Sequence, residues 1–255
     1  MAEAKELKVI LIRHTLSPEE TVSLGAKLCY SRSTIEDLKD KVSKKDQSEF
    51  IEKLMHMGHQ SVFEHASFTF GIEGVSRVVL AQLTRHRLAS FSVQSQRYVS
   101  YENGFGYIIP ESIRALGSEA VRKYHSQMET MEAWYRDWQQ ELGKGELSNQ
   151  DARFVLPNAC ETRLLMTMNV RELHHFFSLR MCSRAQWEIR HMAEQMFLLC
   201  LETAPALFRE AGPQCLRGAC PEGEKSCGQA KEIREARKEL LEKLDRENAK
   251  TEDKT

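Results

Sequence analysis

The sequence predicts a mixed α+β fold, and two observations carry that prediction. Short apolar or alternating runs, Lys8–Arg13 (KVILIR), Ser67–Ile72 (SFTFGI) and Thr162–Met168 (TRLLMTM), read as strands. Between and after them lie helical patterns, the longest over residues 111–142 with Trp134 and Trp138 at i, i+4. The chain has 255 residues, 41% of them hydrophobic, enough for one large domain or two small ones. A charged content of 29% and a formal net charge of −1 argue against disorder, and against nucleic acid or a membrane surface as main partner. No apolar run approaches the about 20 residues of a transmembrane helix. The opening MAEAKELK is polar and lacks signal-peptide character, so the expected place is the cytoplasm, with the seven cysteines as reduced thiols.

Taken in order, Ser17-Pro18-Glu19-Glu20 reads as a capping box that starts a helix running to about Cys29. A second helix is expected from near Asp46, with Phe50, Leu54 and Met57 on one face and Gly58 at its end. Residues 76–84 give a helical pattern (Val78, Val79, Leu83) that delivers Gln82 and Arg85 at its end, passing into an irregular loop rich in hydroxyls. The aromatic run Tyr98, Tyr101, Phe105, Tyr107 leads to Pro110 as an extended segment of core character. Ser148 is expected to cap the helix NQDARFVLP, stopped by Pro157. Asn169 caps a helix carrying Arg171, His175 and Ser178, with Arg180 further on. In the tail, Cys215-x4-Cys220-x6-Cys227 among Gly and Pro could be a small metal clip or a redox site, without a clear fourth ligand. Residues 229–255 read as a solvated helix with a frayed end.

The chemistry concentrates in Arg85–Tyr98, RHRLASFSVQSQRY, which gathers Arg85, His86, Arg87 and Arg97 among hydroxyls and amides. From Gly74 through Tyr101 there is no Asp or Glu, although the chain carries 37 acids against 36 bases. Such a cluster is either a solvated basic patch or a grip for an anion, most often phosphate. His56, His59 and His65 invite a metal reading, but their spacing is not the H-E-x-x-H of zinc hydrolases and no metal is expected there.

Arg85-His86-Arg87, seven residues, then Ser95, followed by Arg97 and Tyr98, resembles the RHR-x7-S motif of flavin-dependent thymidylate synthases. His59 to His65 is similar to that family's GH-x-S/T-x-FEH element, and Ala152 to Pro157 to its A-R-x-x-L-P element. The resemblance covers roughly residues 5–210. It implies a central mixed or antiparallel sheet flanked by long helices, a single domain over residues 1–212, and a tail over 213–255. It also implies a homotetramer with active sites shared between subunits, FAD as cofactor, and reductive methylation of dUMP to dTMP with NADPH and 5,10-methylenetetrahydrofolate as co-substrates.

By the same resemblance dUMP is bound by Gln82, Arg85, Val93, Gln94, Ser95, Gln96, Arg97, Arg153 and Arg180. FAD is bound by His59, Ser61, Arg85, His86, Arg87, Val93, Asn169, Arg171 and His175, with Phe63, Glu64 and His65 in support. Arg180 and Ser95 are the expected catalytic residues: Arg180 stabilises negative charge on the uracil ring, and the Ser95 hydroxyl hydrogen-bonds the base. No cysteine lies in the basic loop and no Asp–His pair can be assigned to activate Ser95, and the resemblance implies that ring activation is electrostatic. No G-x-G-x-x-G or P-loop is present, so the flavin is not expected to bind in the Rossmann manner. Two other classes stay open: a non-catalytic nucleotide- or RNA-binding protein gripping phosphate with Arg85, Arg87 and Arg97, and a metal-dependent hydrolase built on His56, His59 and His65.

Overall fold

A computed structural model of the chain describes residues 2–143 and 145–252, the last five of them by backbone alone. Along the chain come β1 (Glu3–Ala4), β2 (Lys8–His14), α1 (Pro18–Leu28), α2 (Ile35–Ser43), α3 (Ser48–His56) and β3 (Ser67–Ser76). Next are α4 (Leu80–Leu83), β4 (Ala89–Val93), β5 (Gly106–Tyr107), α5 (Glu111–Ala115) and α6 (Ser118–Leu142). Then follow α7 (Glu146–Ala152), β6 (Glu161–Asn169), α8 (Val170–Arg180), α9 (Trp187–Thr203), α10 (Pro205–Phe208) and α11 (Ala230–Glu252). The chain divides into two compact units, one of residues 1–13 and 68–168, the other of 14–67 and 169–255.

The first unit is organised by a four-stranded sheet of order β2-β3-β6-β4. Lys8 pairs with Glu73 at 3.4 Å while Ile12 lies against Gly71, so β2 and β3 run in opposite senses. Thr69 and Thr167 share a hydroxyl contact of 2.9 Å and the Gly74 N–H donates to Glu161 at 3.1 Å, which sets β3 against β6 in the same way. β4 is antiparallel to β6, with Ala89 opposite Met168 and Val93 opposite Leu164. Alternation along the strands buries Phe68, Phe70, Ile72, Met166 and Met168 and leaves Ile10, Ile12 and Leu165 exposed on the other face. Gly74 has φ +70°, and a Cβ there would lie 1.8 Å from the Glu6 carbonyl oxygen, so only glycine fits this approach. A second, parallel pair joins β1 and β5, and its Tyr107 packs with Phe105, Ile109, Met128 and Cys160.

Three expectations in this unit change. Ala89–Val93 is a strand rather than irregular loop, because Phe91 and Val93 alternate with Ser90 and Ser92 and only the serines face solvent. The 111–142 helix is two helices, broken at Gly117 with φ +95°. Ser148 caps nothing: it lies buried inside α7, whose N-cap is Gly145, and Arg153 opens a 3-10 turn beyond the helix.

In the second unit, Asn169 caps α8 as the sequence predicts, its Oδ1 accepting from the Glu172 N–H at 2.8 Å. Ser17 does not close a capping box. It sits at φ 44° in the left-handed region and accepts with its carbonyl from the Thr21 hydroxyl at 3.1 Å, while Glu19 accepts from the Ala206 N–H at 2.8 Å and so caps α10. In α3 the buried pair is Ile51 and Leu54, with Met57 exposed and Phe50 lying 4.7 Å under the Lys27 ammonium. Helix α2 was not anticipated; its signal is Thr34, whose hydroxyl accepts from the Asp37 N–H at 3.2 Å. The core holds an aromatic cluster in which Phe177 meets Phe197 and Phe208 edge-on and His174 stacks on Phe208 at 5.7 Å. Among the described residues no helix is long and apolar enough to cross a membrane.

Candidate functional site

The residues singled out by the sequence fall on both units. In the first, α4 ends in a tight turn, with the Arg85 N–H donating to Gln82 O at 3.4 Å and the His86 N–H to Leu83 O at 3.1 Å. This turn buries His86 and turns the Arg85 and Arg87 side chains to solvent; Gln82 is half-buried. Among the described residues no carboxylate pairs with Arg85 or Arg87. That fits a stretch free of Asp and Glu from Gly74 through Tyr101.

β4 then carries the chain along β6, and the Gln94 N–H extends the ladder to Arg163 O at 2.8 Å. Beyond half-buried Val93, Ser95 closes a turn: its Oγ accepts from the Arg97 N–H at 3.2 Å and its carbonyl from the Val99 N–H at 3.0 Å. Gln96 points inward, 6% exposed, and its amide donates to the Cys160 sulfur at 3.5 Å, so its side chain anchors the loop. Arg97 lies 5.4 Å over the Tyr98 ring and forms an ion pair with Glu146. Its Nε is buried without a partner. Asn149 donates to Arg97 O at 3.2 Å and its side-chain oxygen accepts from Gln139, which ties the end of the motif to α6 and α7. The half-buried Arg153 donates from Nε to Gln150 O at 3.0 Å.

In the second unit, Gly58 ends α3 at φ +73° and presents His59 and Ser61, both exposed, at the start of a 3-10 turn over Gln60–His65. Gly25 of α1 allows His65 to approach, since a Cβ there would meet its ring at 2.9 Å. The Arg171 guanidinium donates to Glu64 Oε1 at 2.5 Å, and the Val170 N–H donates to Ala66 O at 2.9 Å, so the histidine-rich segment and the start of α8 are joined. His175 is exposed one turn on from Arg171, and Arg180 is half-buried at the end of α8.

The metal constellation does not assemble as its sequence spacing would require. His56 faces Glu210 at 3.1 Å, with Glu52 beside it, rather than His59 and His65. Sequence reasoning named Glu64 only as a supporting residue and missed Glu146; their distance along the chain from Arg171 and Arg97 hid both pairings.

Burial pushes the Cys160 thiol up to about 12 and the Cys200 thiol well above its ordinary value, which keeps both protonated and poor as nucleophiles.

Residues 10–206 match the family described as thymidylate synthase complementing protein. The chain belongs to the flavin-dependent thymidylate synthase family. A flavin-dependent thymidylate synthase of Geobacter sulfurreducens is 49% identical over 236 residues, covering 92% of this chain and 99% of that one. The enzyme of the same name from Clostridium tetani is 44% identical over 239 residues, covering 89% and 96%. Among solved structures, the UMP/dUMP methylase PolB of Streptomyces cacaoi bound with 5-Br dUMP superposes with a TM-score of 0.66 at 26% identity, covering 81% of this chain and 95% of that one. As a flavin-dependent thymidylate synthase the chain is a methyltransferase.

Proposed function

We propose that this flavin-dependent thymidylate synthase converts dUMP to dTMP with FAD bound, NADPH as reductant and 5,10-methylenetetrahydrofolate as carbon donor. The observation that carries the reading is the exposed, carboxylate-free pair Arg85 and Arg87 flanking buried His86. Guanidinium forks without local partners suit phosphate oxygens. The donor set fits a flavin dinucleotide: Arg85 and Arg87 for phosphate, exposed His59 and Ser61 as further donors, and the Asn169 amide N–H groups left over once its oxygen caps α8. His86, Val93, Arg171 and His175 complete the FAD set. When bound, the flavin supplies hydride chemistry and relays the one-carbon unit.

The chain's own groups do the rest. Arg85, Arg97 and Arg153 hold the dUMP phosphate and so convert binding into orientation of the ring. Gln82, Val93 and Gln94 line the nucleotide, and Gln96 supports them through its buried contact with Cys160. Ser95 Oγ hydrogen-bonds the base, in keeping with a hydroxyl that already accepts from a backbone N–H within its turn. Arg180 stabilises the negative charge that must develop on the ring before C5 can attack carbon.

The active form is a homotetramer, supported by the apolar sheet face of Ile10, Ile12 and Leu165 left exposed in one chain. Residues 1–212 carry the activity and 213–255 are an appended tail, and the proposed place is the cytoplasm. The test is the purified protein itself. It should be yellow with bound flavin and, with oxygen excluded, sustain NADPH oxidation only when dUMP and methylenetetrahydrofolate are both present. Colourless protein that takes up no added FAD would sink the proposal.

A further inference from the structure

Cys215, Cys220 and Cys227 lie in a segment that the methylation chemistry does not use. Residues 217–229, RGACPEGEKSCGQ, contain no Val, Leu, Ile, Met or aromatic residue, so hydrophobic burial cannot order them. Yet the segment is held against the turn after α8. Arg184 spans the gap, with Nε 3.1 Å from Glu222 and Nη1 donating to Lys225 O at 3.0 Å. Arg234 of α11 grips the other side, donating to Cys215 O at 2.8 Å and Gly218 O at 2.6 Å. Exposed ion pairs of this kind contribute little by themselves.

The spacing of these anchors is informative. Arg184 is two residues from Cys182, Glu222 is two from Cys220, and Lys225 is two from Cys227. The fold therefore brings the turn that carries a fourth cysteine, Cys182, to the tail segment. All four are free cysteines. Cys182, Cys220 and Cys227 all lie near enough to Cys215 to interact electrostatically with its thiol. Among the described residues no three of these sulfurs lie all within 4.8 Å of one another, so closing a site requires the glycine-rich segment to tighten around an ion.

We propose that Cys182, Cys215, Cys220 and Cys227 bind one zinc ion as a tetrathiolate staple that fastens residues 213–229 to the turn after α8. Four thiolates around a tetrahedral d¹⁰ ion make a closed structural site, with no open position for catalysis. Binding releases the thiol protons to solvent and leaves all four sulfurs unoxidised.

The test is zinc content of the full-length flavoprotein purified under reducing conditions with zinc in the medium. About one zinc per chain is expected for a tetrathiolate site, lost in Cys227→Ser and in Cys182→Ala, with flavin content unchanged. Because either variant could misfold, the unaltered protein is also titrated with an organomercurial, which should release the zinc as the thiols are consumed. Cobalt in place of zinc should show the intense d–d absorption of tetrahedral thiolate coordination. Protein without zinc, zinc retained in both variants, a disulfide among the four cysteines, or iron with acid-labile sulfide would each overturn the proposal. The metal readout does not depend on flavin or turnover, so it stands or falls separately from the proposed activity.

Discussion

Among the described residues Arg85 and Arg87 face solvent with no carboxylate partner, whereas Arg97 and Arg171 each already hold one, Glu146 and Glu64. The first pair loses little on folding because both groups remain hydrated. The second pair orders local structure, tying the end of the motif to α7 and the histidine-rich turn to α8. A ligand phosphate can take Arg85 and Arg87 directly, but must share or displace a carboxylate to reach the other two. On the proposed reading Arg85 and Arg87 meet an anion directly, while Arg97 and Arg171 bind ligand and, through their carboxylates, also hold the shape of the walls.

Four outcomes sharpen or break this contrast. Arg180→Ala removes the group assigned to ring polarisation. It should lower turnover roughly 10²- to 10³-fold, as loss of an electrostatic stabiliser does, while flavin absorbance stays. Equal loss of flavin would move Arg180 into cofactor binding.

Acidity sets the window in which the arginines can be compared. Burial lowers the His174 pKa from 6.5 to about 4, so between those values the unfolded chain binds the extra proton. Stability should hold above about pH 6.5 and fall by up to about 3 kcal/mol as the pH drops to about 4. Denaturant midpoints across that range check it, and a His174→Phe variant with the same slope would show that another group is responsible.

Arg87→Ala should weaken flavin binding by about 1.5–3 kcal/mol, roughly 10- to 150-fold, the worth of hydrogen bonds to a charged group. The melting temperature of the flavin-free protein should not change. A destabilised but fully binding variant would reverse the roles of the two arginine sets. Glu146→Gln should do the opposite, costing about 0–1 kcal/mol of stability as an exposed pair does. Its effect on dUMP affinity, by equilibrium dialysis, should be smaller than that of Arg85→Ala.

How far the sequence alone leads differs by region for physical reasons. Strands β3 and β6 and the Asn169 cap follow local rules of alternation and side-chain reach, and they stand where expected. Strand β4 was hidden because Ser90 and Ser92 look like loop residues until the partner strand β6 is known. The capping box failed because Ser17, held before Pro18 in a left-handed conformation, makes no side-chain cap hydrogen bond, while the adjacent Glu19 serves α10 far along the chain. Of the candidate site, the RHR-x7-S positions were legible as a pattern. The inward turn of Gln96 was not, since it depends on Cys160, 64 positions away. Cys182 was unreadable as a partner of the tail cysteines for the same reason: only the fold brings its turn to Glu222 and Lys225, through Arg184.

The central claim is that cationic side chains, with no enzyme sulfur bonded to the base, make C5 of the pyrimidine reactive. Acid quenching during turnover of C5-tritiated dUMP, followed by mass spectrometry of the whole protein, tests it most directly. The prediction is released tritium alongside a polypeptide of unmodified mass. A chain heavier by one nucleotide, with the adduct mapped to a cysteine, would contradict it.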